Sequence, residues 1–343
     1  MGDALLDRLD PRHYREVAKM LLGNPVVGWV EAGEGAPSDN PGAFARFRLL
    51  PRVLRDVSAV KTATTILGTP VRTPIAVAPI GIQKALHPMG EIAMAGGVAA
   101  AGSLYCMPVN ATTPIGEVAA AVPGAPLWLQ LYNWPDREAL TRVIREAEAA
   151  GAKAIVPLVN TPLPVSHTPT SVGFRLPVGA TLAHGAGDQG DLDAKNDFGY
   201  IEWMAGITDL PIVPKGIMHP DDARRALDSG AKAIIVSNHG NRQVARSVAT
   251  IDALPGVVAA VGDRAEVYHD GGVRSGTDAL IALALGARAV FVARAVCWGL
   301  AVGGAEGVAR VIDGLTADMA SDAGMCGVSD ITQLPDDLVV TAS

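Results

Sequence analysis

Ala233-Ile234-Ile235-Val236-Ser237-Asn238-His239-Gly240-Asn241-Arg242-Gln243 is a short apolar run that passes directly into a polar turn. Four apolar residues, three of them β-branched, predict a strand covered on both faces. A histidine and an arginine three residues apart, just past a strand end and beside a glycine, suit the presentation of a proton acceptor and an anion clamp to one small substrate. A polar loop whose histidine caps backbone groups fits the same residues. The decision rests on the rest of the chain.

Working outward, the same alternation recurs on both sides. Pro74 to Ala78 precedes a helical stretch at Gly90 to Ala101, and Ser103 to Met107 precedes Ile115 to Ala121. Leu127 to Leu131 precedes Asp136 to Ala150; Ala154 to Val159 precedes a long irregular loop and Tyr200 to Ile207. Pro211 to Val213 is followed by Pro220 to Ser229, and Ala233 to Val236 by Ala249 to Val261. Glu266 to His269 with Gly276 to Leu285, and Ala289 to Val292 with Val296 to Leu315, complete eight strand–helix units. Eight such units in about 240 residues fit a closed (β/α)8 TIM barrel better than an open doubly wound sheet.

Residues 1–60 read as an N-terminal accessory segment, and 61–343 as the barrel. Asp10-Pro11 can open a helix, Tyr14 to Leu22 has helical apolar spacing, and Gly23-Asn24-Pro25 is expected to end it. Glu31 to Gly42 reads as a surface loop, and the stretches at Phe44 and Pro51 as extended or irregular.

Composition narrows the class. Of 343 residues, 49% are hydrophobic, enough to fill a large core, yet no apolar run of about 18 residues is free of charges or breaks. A net charge of −7 disfavours nucleic acid or an anionic membrane as main partner. Cys106, Cys297 and Cys326 lack metal-ligand spacing and are odd in number, so neither a metal site nor a disulfide framework is expected, and a reducing cytoplasm fits. No basic-then-apolar leader opens the chain.

In such a barrel the active site lies at the C-terminal ends of the strands. Gln130 and Tyr132 follow the third strand, Asn160 the fourth, Lys215 ends the fifth, and His239 and Arg242 follow the sixth. Asp270-Gly271-Gly272-Val273-Arg274-Ser275-Gly276 follows the seventh and Ala293-Arg294 the eighth. Glycines that admit close backbone approach, a helix N-terminus and two arginines have the make-up of a phosphate cradle. A Gly-Gly pair alone is most often just a tight turn, and a lysine at a barrel rim can simply be half of an ion pair.

Six stretches in order carry a resemblance. They are Pro51-Arg52-Val53-Leu54-Arg55-Asp56-Val57; Ala78-Pro79-Ile80-Gly81-Ile82-Gln83-Lys84 with His87 to Glu91; Gln130-Leu131-Tyr132; Lys215-Gly216; Ser237 to Gln243; and Asp270 to Asp278 with Ala284 to Ala287. From about Phe44 to Ile331 the chain resembles the FMN-dependent α-hydroxy-acid oxidase and dehydrogenase family. The resemblance implies FMN held by backbone at Pro79, Ile80 and Gly81 and by Gln130, Lys215 and Ser237. Asp270, Gly272, Arg274, Ala293 and Arg294 would take the ribityl-phosphate end. It implies His239 as the base, Arg242 as the clamp on a substrate carboxylate, Tyr132 as a hydrogen-bonding partner and Lys215 as a stabiliser of charge on the reduced ring. A homotetramer, and oxygen or a soluble electron acceptor, are implied in the same way.

Departures from the pattern bear on the substrate. Trp29 stands near a usual tyrosine, Asn160 replaces an aspartate that orients the histidine, and His167 falls near a usual arginine. Leu158 and Pro108 replace hydroxyl residues, and Asn241 a small one. An amide at 160 supplies no charge, so His239 is expected to be a weaker base. The shortened loop after Asn160 predicts a more open pocket, mobile between Gly179 and Asp193. An oxidoreductase with altered specificity is the leading expectation. The alternatives are an FMN enzyme performing isomerisation or dehydrogenation of a non-hydroxy substrate, and a flavin-binding protein without turnover.

Overall fold

The computed structural model describes residues 10–34, 39–163, 174–184, 192–244 and 246–342. Eight strands form one sheet: β1 (Ile75–Val77), β2 (Tyr105–Pro108), β3 (Leu127–Leu131), β4 (Ile155–Pro157), β5 (Lys215–Ile217), β6 (Ala233–Val236), β7 (Glu266–Asp270) and β8 (Ala289–Val292). Neighbours pair in parallel and β8 pairs with β1. Parallel bridges Ile155 with Ile212 and Leu158 with Lys215 bring β4 against β5, so the barrel closes. The helices that follow are α1 (Gly90–Ala100), α2 (Ile115–Ala121), α3 (Arg137–Ala149), α4 (Gly199–Ile207), α5 (Pro220–Asp228), α6 (Thr250–Val261), α7 (Gly276–Ala284) and α8 (Arg294–Met325). The expected (β/α)8 TIM barrel is the observed fold.

Side chains alternate along a strand, so each strand feeds two separate cores. Ile75 and Val77, Leu127 and Leu129, Ile234 and Val236 face the helices. Ala76, Cys106, Trp128, Val156, Val213, Ile235, Tyr268 and Phe291 fill the interior. There the rings of Trp128, Tyr268 and Phe291 lie within 5.7–5.8 Å of one another. A hairpin, Thr64–Ile66 with Thr69–Val71, closes the N-terminal end. Its Ile66 and Val71 join the interior cluster, and Leu67 N donates to Glu266 at 2.9 Å.

Three elements differ from expectation. Regular pairing of the fifth strand begins at Lys215 rather than ending at Val213. Pro211 and Pro214 have no N–H to donate, which leaves 211–213 with isolated bonds to Ile155 on one side and from Lys232 N to the Ile212 carbonyl on the other before the ladder proper. The last helix extends to Met325 but breaks at Gly303–Gly304, where Gly304 has φ 55 and ψ −133. Its two parts then meet so closely that a Cβ on Gly299 would lie 2.5 Å from the Gly307 carbonyl oxygen. At the other end, the first helix stops at Leu21, before Gly23-Asn24-Pro25 as expected, but Asn24-Pro25 also opens an unexpected second helix, Asn24–Glu31, because proline is accommodated in a first turn.

That second helix and the chain after it lie on the barrel mouth. Phe47–Leu49 pairs antiparallel with Val339–Thr341. Asn40 exchanges hydrogen bonds with Asn238 at 2.7 and 2.9 Å, tying the segment to the turn after β6. Phe44 packs edge-on against the buried His269 ring at 5.7 Å.

Candidate active site

One step of the strand period beyond the apolar interior lies a different layer. Inward residues there are Pro108, Gln130, Leu158, Lys215, Ser237, Asp270 and Ala293, each two positions after an interior residue. All but Ser237 line a cavity of about 320 Å³ at the C-terminal end of the barrel. Among the expected site residues, Trp29, Pro79, Ile80, Gly81, Tyr132, His239, Arg242, Gly272, Arg274 and Arg294 line it too.

Lys215 is buried, and its ammonium group makes two hydrogen bonds. Its Nζ donates to Asp270 Oδ2 at 2.5 Å and to Ser237 Oγ at 2.8 Å, and Ser237 Oγ donates to the same carboxylate oxygen at 2.6 Å. Burial works against the Asp270 carboxylate. The Lys215 charge and the hydrogen bonds from Lys215 and Ser237 outweigh it and hold the group below the usual range. The result is a cation fixed in place by its own counter-ion.

The turn carrying the histidine is strained. His239, Gly240 and Asn241 have φ of 57, 66 and 63, three successive residues in a region that side-chain-bearing residues seldom occupy. Asn238 supports it by accepting from the Asn241 N–H at 3.2 Å and donating to Asn241 Oδ1 at 2.8 Å. Asn241 is thus part of the scaffold, with Asn40 and Asn238, and does not line the cavity, contrary to its expected pocket role. Asparagine suits the position because it tolerates left-handed backbone.

His239 Nδ1 is buried and has no hydrogen-bond partner. Burial, with the charges of Lys215 and Arg242 acting in the same direction, pushes its pKa down to about 3. The histidine is neutral at physiological pH. Asn160, expected to orient it, turns elsewhere: its Nδ2 donates to the Ser237 carbonyl at 3.2 Å, and its buried Oδ1 has no partner. Gly216, at φ 114, explains the packing, since a Cβ there would lie 2.5 Å from Asn160 Cγ. Asn160 supports the backbone beside the histidine.

Arg242 Nη2 donates to the carbonyls of Trp29 and Val30 at 2.8 and 2.9 Å. Trp29 therefore holds Arg242 through its backbone carbonyl, while its ring stacks on Phe174 at 5.1 Å. Burial raises the Tyr132 phenol, with the Arg242 charge opposing. His167 lies outside the described residues. The described parts of the long β4–α4 connection are anchored. Asp193 N donates to the Asn133 carbonyl at 2.9 Å, His184 lies 3.0 Å from Glu146, and Leu192 reaches the cavity.

Sequence reading missed Asn110, Trp134, Thr161, Gln243 and Cys297, which also line the cavity. Gln243 Nε2 donates to Thr161 Oγ1 at 2.8 Å, joining the loop after β4 to the histidine turn. Gln243 and Thr161 immediately follow residues already singled out, which was the available signal. Cys297 is one turn into α8, and burial raises its thiol to about 12. All three cysteines are free and buried.

The cavity offers what a flavin nucleotide requires. Gln130 Nε2 is a buried donor without a partner, suited to the polar edge of a ring system. Gly271 and Gly272, at φ 118 and 89, have no room for a Cβ: one on Gly272 would lie 2.6 Å from the Asn40 carbonyl. Arg274 and Arg294 flank that loop. Comparison with known proteins decides the matter, because a sequence profile of the FMN-dependent dehydrogenase family matches residues 30–341. The chain belongs to that family. It is similar to L-lactate oxidase of Nostoc sp., at 37% identity over 94% of this chain and 95% of the relative. Human 2-hydroxyacid oxidase 1 is 38% identical over 95% of each chain. The solved structure of mandelate oxidase with (S)-2-phenylpropionate superposes with a TM-score of 0.88 at 35% identity, covering 97% of this chain and 98% of that one. As an FMN-dependent dehydrogenase, the chain is an oxidoreductase with FMN as its cofactor. The residues present fit that group: Gln130, Lys215 and the Pro79–Gly81 backbone would hold the ring, and Gly272, Arg274 and Arg294 would hold the phosphate.

Proposed function

We propose that the protein oxidises a 2-hydroxy acid at its carbinol carbon, with His239 as base and Arg242 with Tyr132 holding the carboxylate. One observation carries the assignment. A neutral, buried histidine with an unpartnered ring nitrogen shares its cavity with an arginine and a phenol, above the paired Lys215. When bound, FMN supplies the acceptor for the hydride leaving that carbon.

The chain's own groups do the rest. His239 takes the hydroxyl proton on a ring nitrogen. Lys215 and Arg242 oppose its protonation. A substrate carboxylate beside Arg242 brings a compensating negative charge, so the histidine becomes a better base only when substrate is in place. Trp29, Trp134, Leu158 and Leu192 add an apolar wall. The wall favours an aromatic or branched group on the carbinol carbon over glycolate. Electrons then leave to oxygen or a soluble acceptor.

A second reading, flavin chemistry on a non-hydroxy substrate, draws on Asn160, whose amide serves Ser237 and leaves His239 without a charged helper. The visible spectrum of the holoenzyme, followed anaerobically with glycolate, lactate, branched 2-hydroxy acids and mandelate, separates the two. Bleaching of the flavin band by the bulkier acids is expected, with peroxide on readmission of air if oxygen is the acceptor. A band that no member bleaches overturns the first reading in favour of the second.

A further inference from the structure

Arg274 of the glycine loop and Arg294 after β8 have a carboxylate within reach. Glu34 Oε1 lies 3.0 Å from Arg274 Nη2 and 3.5 Å from Arg294 Nε, while its Oε2 accepts from Arg15 Nη2 at 3.0 Å. Glu34 does not line the cavity; Arg274 and Arg294 do. The two guanidiniums that line the cavity are therefore also paired with a carboxylate of the N-terminal segment that does not line it.

This carboxylate is held there by the backbone. Gly33, at φ 82, packs so tightly on the histidine turn that a Cβ would lie 2.5 Å from the Gly240 carbonyl oxygen. Arg294 Nη2 donates to the carbonyls of Ala32 and Gly240 at 2.7 and 3.0 Å, gripping the residues on either side of that contact. The Arg294 side chain is only 12% exposed, and Glu34 22%. Burial draws the Arg294 pKa down to about 10, with Arg242 pushing the same way and Glu34 opposing. The surroundings of Arg294 are thus short of negative charge, and Glu34 supplies some of it.

We propose that Glu34 is a resident counter-anion of the cofactor-phosphate site, neutralising Arg274 and Arg294 before FMN enters and weakening their hold on its phosphate afterwards. The inference rests on the assignment of those arginines to the phosphate. Two like charges sharing a pair of cations repel, and partial exposure reduces the effect to roughly three- to tenfold in affinity. Loading of the cofactor is then coupled to the N-terminal segment, because the same stretch that holds Glu34 through Ala32 and Gly33 also supplies the Trp29 and Val30 carbonyls bound by Arg242.

The test uses the full-length protein freed of flavin and titrated with FMN and with riboflavin, which lacks the phosphate, using the change in flavin fluorescence. Glu34→Gln keeps the size and an acceptor oxygen but removes the charge. It should tighten FMN by roughly three- to tenfold and leave riboflavin unchanged, and Glu34→Ala should do the same. Inorganic phosphate should raise the melting temperature of the flavin-free Glu34→Gln protein more than that of the parent. Weaker or unchanged FMN binding, or an equal change for both flavins, overturns the proposal. Arg274→Ala tests the underlying assignment separately: it should weaken FMN alone, and an equal loss for riboflavin shows that the phosphate is held elsewhere.

Discussion

The two ends of the barrel interior are built from the same eight strands and the same inward parity, one step apart. At the lower level Trp128, Tyr268 and Phe291 pack ring against ring, and the hairpin at Ile66 seals them from water. At the upper level the next inward residues on those strands are Gln130, Asp270 and Ala293, facing a cavity. A step of two residues along a parallel strand is about 6.6 Å. Within that distance the interior changes from a ring-packed core, whose one unpartnered polar atom among these three rings is the Trp128 indole nitrogen, to a cavity-facing layer that leaves Gln130 Nε2 and a ring nitrogen of His239 without partners. The lower level is close-packed, whereas the upper one keeps its polar atoms facing open space.

The comparison can be broken at its upper level first. His239→Ala should reduce turnover by about 10²–10⁴-fold while the flavin spectrum persists, because general-base removal costs that much; stopped-flow flavin reduction would measure it. Unchanged reduction would mean that another group takes the proton. At the lower level, Trp128→Ala should cost about 3–5 kcal/mol of stability in denaturant unfolding. The surviving folded fraction should keep its substrate preference, since the cavity wall is made by other residues.

A third experiment concerns a group between the two roles. His269 precedes Asp270 but faces outward, fully buried against Phe44 with both ring nitrogens unpartnered. Burial puts its pKa at about 4, below the ordinary value of 6.5. The unfolded chain therefore binds a proton more readily than the folded one between those values. Stability is complete above about pH 6.5 and falls as pH drops toward 4, by up to about 1.4 kcal/mol per pH unit from this group. His269→Leu should flatten that slope in urea titrations at pH 4.5, 5.5 and 6.5.

The smallest expected effect is also the most informative about the departures. Asn160→Asp places a charge at a buried oxygen that now has no partner, and should raise the pKa of His239. A gain of roughly tenfold or less in flavin reduction by lactate is expected from a shift of about one unit. A loss would indicate that the bond from Asn160 Nδ2 to the Ser237 carbonyl matters more than charge.

Periodicity makes the barrel legible because apolar strands and their helices are local patterns, and position at the strand C-termini places Gln130, Lys215 and Asp270 at the mouth. What sequence could not convey depends on close backbone approach. Asn160 was read as a partner of His239, but Gly216 lets its side chain settle under the Ser237 carbonyl instead. Asn241 was read as pocket lining, whereas a left-handed turn directs it into an asparagine cluster. Gly303-Gly304 likewise gave no sign of how sharply α8 would fold on itself, since the break follows from contact between Gly299 and Gly307. Glu34 was passed over within a loop because its importance lies in guanidiniums about 240 and 260 residues further along the chain.

Cys297 has a bearing on durability. It lines the cavity in which an oxygen-dependent reaction would release hydrogen peroxide, near the charges of Arg242 and Arg294, both of which favour a thiolate. Burial wins and keeps the sulfur protonated, the form that peroxide attacks slowly. Cys106, in the sealed lower core, is protonated even more firmly. The same dry packing that stiffens the barrel would thus spare the catalyst from oxidation by its own by-product over many turnovers.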